Sequence, residues 1–363
     1  MLSLFFELLQ IALGHRSGLS HIPSEREWRE LFFISQKQAL LGIVYAAIEK
    51  LPPVQRPERK FLLRWHMVAE SVKKKNSFLE SKYAVISHNF YKDGFRNVIL
   101  KGYGVASYYR IDGLEKYRMP GDVDIWLDGD RDKIISYVHR YMPDSTIVYH
   151  HADFPKIDDV DIEVHFTPSW MNSFFTNRKL QNFFAVNKDK QFAATDYSSG
   201  EIPVPTLAFN RIYILVHIYR HLFLTGLGLK QLLDYYYVLK QGFTEKERLE
   251  TIQVLASLKM KRFVSAVMWL LHEAYGLENE FLLIEPDEKE GRFLLAEVMR
   301  SGNFGMYDKS VVRNGGESDL YWGMRKLKRL LRFAFAYPSE VFWSPFFKVW
   351  HYFWRRKVNV SSL

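Results

Sequence analysis

The sequence predicts an α+β protein in which a small mixed β-sheet is flanked by helical regions at both ends. Helical periodicity fills residues 1–93, apart from breaks at Gly18–Ser24 and Leu51-Pro52-Pro53. Short strand patterns are confined to residues 94–205, and helical patterns return beyond Pro203 and Pro205. We therefore expect an N-terminal helical region (1–93), a sheet-containing core (94–205), a helical domain (206–300), and a last region (301–363) in which a glycine-containing linker, 301–318, leads into basic, aromatic helices.

The individual elements follow from local patterns. Thr206 is expected to cap a long helix over 207–224 that ends at Gly226 and Gly228, and a second helix is expected from about Leu229 to Lys240. The predicted strands are Asn97–Leu100, Asp122–Leu127, Ser145–His150 and Val160–Phe166.

Two carboxylates on the second strand are the first sign of a functional site. Side chains alternate between the faces of a strand, so Asp122 and Asp124 point one way while Val123 and Ile125 point the other. Two like charges side by side are costly unless a cation lies between them, and Mg²⁺ prefers such hard oxygen ligands together with substrate phosphates. The glycine turn within Leu100–Gly104 offers backbone N–H groups that could hold those phosphates.

The fourth strand adds a third acidic element. Residues Val160–Phe166 alternate strictly, which places Asp161, Glu163 and His165 on the polar face. Alternation alone leaves Asp161 and Glu163 equivalent as the third carboxylate. If this strand lies beside the Asp122–Asp124 strand, the acids form a cluster of the kind that holds the metal ions of phosphoryl transfer.

These motifs resemble the nucleotidyltransferase superfamily of DNA polymerase β type, and within it a bacterial group of uncharacterised nucleotidyltransferases. The resemblance rests on Leu100-Lys101-Gly102, on Asp122-Val123-Asp124 and on Ile162-Glu163-Val164-His165-Phe166. Further agreement lies in Glu27-Trp28-Arg29-Glu30-Leu31 and in the segment from His217 and His221 through Gly228 to Asp234, so it covers roughly residues 20 to 280.

The resemblance implies a nucleotidyltransferase-type sheet and the transfer of a nucleoside monophosphate from a nucleoside triphosphate to an acceptor hydroxyl, with Mg²⁺ or Mn²⁺ as cofactor. The His165 register favours Glu163 as the third carboxylate. The implied residues are Asp122, Asp124 and Glu163 for catalysis and metal binding; Lys101, Gly102, Tyr103, Gly104 and Lys230 for nucleotide binding; and Asp161, His165 and Asp234 as possible additions.

Two departures from the family pattern bear on activity. The turn reads Gly102-Tyr103-Gly104, without the serine whose hydroxyl usually contacts phosphate, and Tyr108–Met119 forms a long segment beside the site. The chain could therefore be an inactive nucleotide-binding or antitoxin-like module. A factor acting on a membrane surface in polysaccharide or lipid assembly is a further alternative.

Several site residues also have plainer interpretations. Lys101 could be a strand-end lysine that points to solvent, and Lys230 and Asp234 could form an ordinary surface ion pair at i and i+4. His217 and His221 have metal-ligand spacing, but a polar contact at a domain junction fits them better than zinc. Neutralising Asp122 or Asp124 is expected to remove activity and to leave the fold intact or more stable, since like charges would be relieved.

Composition and charge limit the classes of protein to which the chain can belong. The 363 residues include no cysteine, which excludes disulfides and thiolate metal sites. Residues 1–9 form a poor signal peptide and predict an amphipathic first helix, so we expect a cytoplasmic protein. The formal net charge is +9, and residues 321–363 carry nine Lys and Arg against Glu340 alone. This aromatic, basic segment is either a separable docking surface for an anionic membrane or nucleic acid, or a helix pair packed on the body.

Overall fold

The computed structural model describes residues 1–193, 197, 201–313 and 315–360, with side chains as far as Val358. These residues form fourteen α-helices and one four-stranded mixed sheet, which confirms the α+β class. The strands are β1 (Asn97–Ile99), β2 (Val123–Leu127), β3 (His151–Ile157) and β4 (Val160–His165). The helices are α1 (Leu2–Ala12), α2 (Glu25–Lys37), α3 (Leu41–Lys50), α4 (Arg59–Lys92), α5 (Tyr103–Ala106), α6 (Arg131–Tyr141), α7 (Phe174–Ala193), α8 (Leu207–Leu224), α9 (Leu229–Lys240), α10 (Glu245–Ser257), α11 (Lys261–Tyr275), α12 (Glu288–Ser301), α13 (Asp319–Leu331) and α14 (Pro338–Val360).

The sheet has the order β1-β2-β4-β3. β1 is antiparallel to β2, β2 is parallel to β4, and β3 is antiparallel to β4. The parallel pair sets Asp124 directly opposite Glu163 and Trp126 opposite His165. Because residues that face each other across a ladder share one side of the sheet, these polar side chains meet on the same face.

The two faces of the sheet have different chemistry. Val123, Ile125, Ile162 and Val164 point to one side, where they form an apolar core with residues of α4 and α6. The opposite side carries the carboxylates and is covered by α8, a helix whose side chains are buried along most of its length. The strict alternation of β4 therefore separates a purely structural face from the face that carries the chemistry.

The helices around the sheet follow their sequence signals closely. The Thr206 hydroxyl accepts a hydrogen bond from the Phe209 N–H at the start of α8, and α9 spans the predicted range exactly as far as Lys240. α1 is also helical, but it is buried on nearly all sides rather than amphipathic at the surface. Even Glu7 is buried there, because its carboxylate accepts the Ser20 N–H at 2.8 Å.

The prediction of a strand over Ser145–His150 is wrong, since β3 begins at His151. Within the earlier segment Ile147 makes only an isolated bridge, to Ala152, so this stretch is the turn that leads into the strand. The strand over β3 was not predicted because it contains Pro155, and proline lacks the backbone N–H that a strand donates to its neighbour. It is tolerated here because β3 is an edge strand and its register shifts between Phe154 and Ile157.

The C-terminal region packs on the body along one side. The start of the predicted linker is not extended: a Cβ on Gly305 would lie 1.7 Å from the Thr225 carbonyl oxygen, so this backbone lies directly against the end of α8. Arg329 of α13 is buried and donates to the carbonyl oxygens of Leu222 and Phe223. Leu330, Phe333, Tyr337 and Val341 join the main core. This packing favours the helix-pair interpretation over separability, while the four-region division stays a prediction.

None of the helices within the described ranges combines the length and the apolar character that crossing a membrane requires.

Candidate active site

Asp124 is the centre of the polar face. Its side chain is fully buried, and its Oδ1 atom forms an ion pair with Lys101 Nζ at 3.0 Å and accepts a hydrogen bond from His165 Nε2 at 2.9 Å. Its Oδ2 atom has no hydrogen-bond partner in the described structure. A buried carboxylate oxygen without a partner is costly, so its presence indicates a ligand that completes the site.

Lys101 balances the charge of the aspartate pair. Its ammonium group lies 3.0 Å from Asp124 and 3.5 Å from Asp122, whose side chain is about one-third exposed at 34%. Burial alone would lower the pKa of Lys101, but the charges of Asp124 and Asp122 outweigh it and raise the pKa above its ordinary value. Lys101 is therefore not a strand-end lysine in solvent but a fixed positive charge inside the site.

Glu163, and not Asp161, lies beside the aspartates. Glu163 Oε2 is 3.5 Å from His165 Nε2 and 3.2 Å from His151 Nδ1. Burial would raise the pKa of Glu163, but the His165 hydrogen bond and the Lys101 charge together lower it. Asp161 is exposed and pairs with Lys156 at 2.8 Å. The geometry therefore favours Glu163 for the position that alternation left open.

The histidines beside Glu163 differ in protonation. Burial opposes the charged form of His165, but hydrogen bonds to Asp124 and Glu163 raise its pKa. Burial and the nearby charge of His165 lower the pKa of His151 to about 2, so this ring is neutral. His165 thus acts as a proton donor to the carboxylates, which leaves oxygen atoms as the ligands of a hard cation.

The glycine turn is shaped by backbone geometry. Gly102 has φ +65° and a Cβ there would lie 3.6 Å from the Asp122 carbonyl oxygen. A Cβ on Gly104 would lie 2.6 Å from the Ile99 carbonyl oxygen, so glycine lets α5 approach β1 closely. Tyr103 packs its ring on Tyr83 at 4.9 Å. Gly102 therefore brings the turn close to the backbone of Asp122.

Lys230 and Asp234 are both buried, which excludes the surface ion pair expected as the plainer interpretation. Asp234 instead accepts from Arg118 at 2.7 and 2.9 Å and from the Tyr109 hydroxyl at 2.6 Å. Lys230 is 6% exposed and faces a small cavity that Lys101, Gly102 and Asp122 also line. Burial and the Arg118 charge lower the pKa of Lys230 to about 7.

His217 and His221 lie on α8 above the sheet, as the junction interpretation expected. Their rings are 4.4 Å apart, and His221 Nδ1 contacts the Thr225 hydroxyl at 3.0 Å. Neither belongs to a cluster of three potential metal ligands in the part of the chain that is described. Arg220 between them was missed by sequence reasoning, although an arginine in so apolar a helix was a usable signal. It donates to Nε2 of His150, a buried histidine that was assigned to the misplaced strand.

Two cavities meet at Lys101 and Asp122. The smaller, about 80 Å³, contains Gly102, Arg118 and Lys230. The larger, about 510 Å³, lies on the Glu163 side and is bounded further away by β3, α8 and α14. Lys101 and Asp122 line both. Arg118, which sequence reasoning also missed, comes from the long segment that was noted beside the site.

The donor set fits a divalent metal ion. Carboxylate oxygens of Asp124 and Glu163 lie within 4.8 Å of one another, and Asp124 Oδ2, which has no hydrogen-bond partner among the described residues, supplies a free oxygen. Asp122 adds a second, more exposed carboxylate. Residues of this chemistry suit Mg²⁺ or Mn²⁺, which bind through carboxylates and keep part of their coordination for phosphate and water.

A sheet that sets a third carboxylate beside an aspartate pair, next to a glycine turn, is the arrangement expected of a nucleotidyl-transferring protein. Residues 24–276 match the model of a family described as uncharacterised nucleotidyltransferases, and the chain belongs to this family. The match spans well over half of the chain and supports a transferase acting on a nucleotide. No curated protein and no solved structure matches the chain.

Proposed function

We propose that the protein transfers a nucleoside monophosphate from a nucleoside triphosphate to a hydroxyl group of an acceptor. The acceptor oxygen forms a bond to the α-phosphorus, the bond from that phosphorus to the bridging oxygen breaks, and pyrophosphate leaves with the electron pair. The hydroxyl proton is released to solvent. The observation that carries this proposal is the buried Asp124 carboxylate, held by Lys101 and His165 beside Glu163, with one oxygen free.

Each residue of the site has a role in this reaction. Asp122, Asp124 and Glu163 would hold Mg²⁺ or Mn²⁺, which when bound neutralises phosphate charge and lowers the pKa of the acceptor hydroxyl. Lys230 binds phosphate oxygens from the small cavity, where Gly102 lets the backbone come close. Lys101 and His165 keep the carboxylates ionised and fixed in direction. Tyr103, Gly104 and Asp234 shape the turn and α9 rather than touch the reacting atoms.

Ligand-dependent thermal stability tests the proposal. The melting temperature of the protein would be measured with Mg²⁺ and each of the four common nucleoside triphosphates, and again with EDTA. We expect stabilisation that requires both metal and nucleotide, and its loss in Asp122→Asn. Asp161→Asn is the matched control, because it neutralises a carboxylate of the same face outside the cluster. A wild-type protein without any such shift would contradict the enzyme and favour the inactive module.

A specific surface supports the membrane alternative as an additional property. On α13, Leu320, Met324, Leu327 and Leu331 recur at helical spacing, and on α14 so do Phe342, Phe346, Val349 and Phe353. All eight are 50–75% exposed. Exposed cations lie on the same helices, among them Lys328, Arg355 and Arg356. The α13 stripe, made of leucine and methionine and accompanied by cations, favours an anionic lipid surface over nucleic acid, because these side chains do not stack on bases.

Vesicle pelleting tests this surface. Phe346→Ser and Phe353→Ser should reduce pelleting with anionic vesicles, whereas Val186→Ser, at a still more exposed apolar residue of α7, should not. Arg325 and Arg329 are unsuitable for charge removal, since Arg325 bonds Glu317 and Arg329 anchors α13. If the protein were retained on RNA and did not pellet with vesicles, nucleic acid would be favoured over lipid as the partner of this surface. A cytoplasmic location stays a prediction from the sequence.

A further inference from the structure

The larger cavity holds an unusual concentration of polar groups without partners. Buried nitrogen atoms that lack a hydrogen-bond partner include His150 Nδ1, Trp170 Nε1, Arg220 Nε, His221 Nε2 and His351 Nε2. All five residues line this one cavity. Buried polar atoms without partners are few in folded proteins, so their clustering around one space indicates a ligand that supplies hydrogen-bond acceptors.

Negative and positive side chains lie on different parts of the cavity wall. Among the described residues that line it, the carboxylates are Asp122 and Glu163, and both lie at the edge that belongs to the candidate active site. The remaining wall carries the cations Arg220 and Lys348, and neither forms an ion pair with a described carboxylate. The two terminal nitrogen atoms of the Arg220 side chain donate hydrogen bonds to ring nitrogens of His150 and His217, which are neutral acceptors. The wall is therefore positive and lacks an anion to balance it.

Chemistry assigns the two cavities to different substrates. Attacking and leaving oxygens lie on opposite sides of the phosphorus in an in-line displacement. Lys230 and Gly102, the proposed phosphate-binding groups, line the small cavity and not the large one. Glu163, the carboxylate farther from this phosphate-binding side, lines the large cavity and not the small one. The larger cavity is thus on the side from which the hydroxyl must attack.

The C-terminal helix completes this cavity. Phe347 of α14 stacks on Trp170 with ring centroids 4.2 Å apart and an angle of 8° between the planes. Lys348 and His351 extend the same wall. These three α14 residues lie beyond residue 276, where the family match ends. Recognition of the acceptor is therefore built in part by a segment that the matched portion of the chain does not include.

We propose that the acceptor is a hydroxyl compound that also carries a phosphate group, with its hydroxyl at Glu163 and its phosphate held by Arg220 and Lys348. This inference rests on the proposed function. A cavity of about 510 Å³ accommodates a molecule of the size of a polyol or sugar phosphate, free or as the head group of a lipid. The stacked rings of Trp170 and Phe347 line the cavity and give it an apolar side for the carbon skeleton between the two groups.

Binding of a matched set of probes tests the inference. Glycerol, glycerol 3-phosphate, phosphatidylglycerol vesicles and phosphatidylcholine vesicles would each be titrated into the full-length protein. We expect glycerol 3-phosphate or phosphatidylglycerol to bind and the two uncharged or zwitterionic controls not to. Lys348→Gln and Arg220→Gln should each raise the dissociation constant about ten- to a hundredfold, the effect of losing a charge-assisted hydrogen bond.

Control variants locate the binding. Lys289→Gln removes an exposed cation of α12, outside both the cavity and the α13–α14 surface, and should leave the affinity for glycerol 3-phosphate unchanged. Lys230→Met, on the nucleotide side, should also leave it unchanged. Since Lys348 is exposed, its replacement tests the inference even if Arg220→Gln fails to fold. Binding that Lys230→Met abolishes and Lys348→Gln leaves intact would overturn the inference, because the anion would then occupy the nucleotide side.

A parallel titration with Mg²⁺ and nucleoside triphosphate separates the two proposals. A protein that binds nucleotide but neither glycerol 3-phosphate nor phosphatidylglycerol would refute the acceptor assignment and leave the proposed function standing. A protein that binds no nucleotide would refute the proposed function itself. Transfer of label from the α-phosphate of the nucleotide to glycerol 3-phosphate alone would identify a free acceptor, and transfer to the vesicle lipid would identify a head group.

Discussion

Lys230→Met is expected to stabilise the ligand-free protein while weakening nucleotide binding. Lys230 is buried, forms no ion pair with a described carboxylate, and lies close to the positive charge of Arg118. Its pKa is lowered from 10.5 to about 7. At roughly 1.4 kcal/mol per pKa unit, this corresponds to a penalty on the order of 4 kcal/mol at pH 7. Methionine has a similar length and carries no charge, so much of this penalty should disappear.

The pH dependence follows from the same shift. Between pH 7 and 10.5 the unfolded chain keeps Lys230 protonated while the folded chain does not, so the unfolded state binds more protons and stability rises with pH. The advantage of Lys230→Met over wild type should therefore fall from about 4 kcal/mol at pH 7 to about 1 kcal/mol at pH 10. Below pH 7 both states are protonated and the difference should level off.

Urea unfolding from pH 6 to 10 in EDTA would measure this difference. Lys289→Met, at an exposed lysine of α12, controls for the general effect of introducing methionine. Nucleotide binding, followed separately, should weaken about tenfold or more in Lys230→Met, because a charge-assisted hydrogen bond to phosphate is lost. A Lys230→Met protein that is less stable than wild type at pH 7 would refute the reasoning, since Lys230 would then be held by a favourable partner.

Three other substitutions separate the forces within the site and its supports. Asp124→Asn should destabilise the protein by roughly 3 kcal/mol, contrary to the sequence-based expectation, because it leaves the Lys101 charge buried without its closest partner. Asp122→Asn should be nearly neutral, and equal unfolding free energies for the two variants would contradict this reasoning. Lys101→Met should have a lower melting temperature than wild type in EDTA, because the carboxylates lose the positive charge between them. Its melting temperature should rise more on addition of Mg²⁺ than that of wild type, and an unchanged response to Mg²⁺ would argue against metal binding at the carboxylates. Gly305→Ala should lower the free energy of unfolding by about 3 kcal/mol or more, because its Cβ would overlap the Thr225 carbonyl oxygen. Gly316→Ala is also at positive φ but in open space, so it should lower the free energy of unfolding by about 1 kcal/mol. Similar losses in the two variants would show that backbone strain alone determines the cost.

The parts of the fold that the sequence predicts are those governed by local rules. β2, β4, α8 and α9 lie where alternation, the Thr206 cap and the glycines placed them, because each signal acts within a few residues. The strand pairing that joins Asp124 to Glu163 was expected only as a condition, since no local pattern specifies which strands are neighbours. β3 was displaced because Pro155 breaks the pattern of a strand that survives only at the edge of the sheet.

The site residues that sequence reasoning missed were missed for a different reason. Arg118 reaches the site from a long loop, Arg220 from the covering helix, and Lys348 from the far end of the chain. Their roles depend on which distant partner they meet, as Asp234 shows: its neighbour at i−4 is a lysine, yet its carboxylate binds Arg118. Charge pairs at helical spacing are worth only a few tenths of a kcal/mol, so a buried bidentate contact easily overrides them.

The distribution of charge across the cleft gives the site a direction. At its centre, the negative carboxylates are held by Lys101 and His165, so they are fixed before any substrate arrives. On either side, Lys230 and Arg220 are basic side chains in buried surroundings that form no ion pair with a described carboxylate, which is unfavourable in the ligand-free protein. Two anionic substrates that enter from opposite sides would relieve both costs at once. The free energy stored in these unpaired cations is therefore available for bringing the triphosphate and the acceptor together over the carboxylates, where the reaction is proposed to occur.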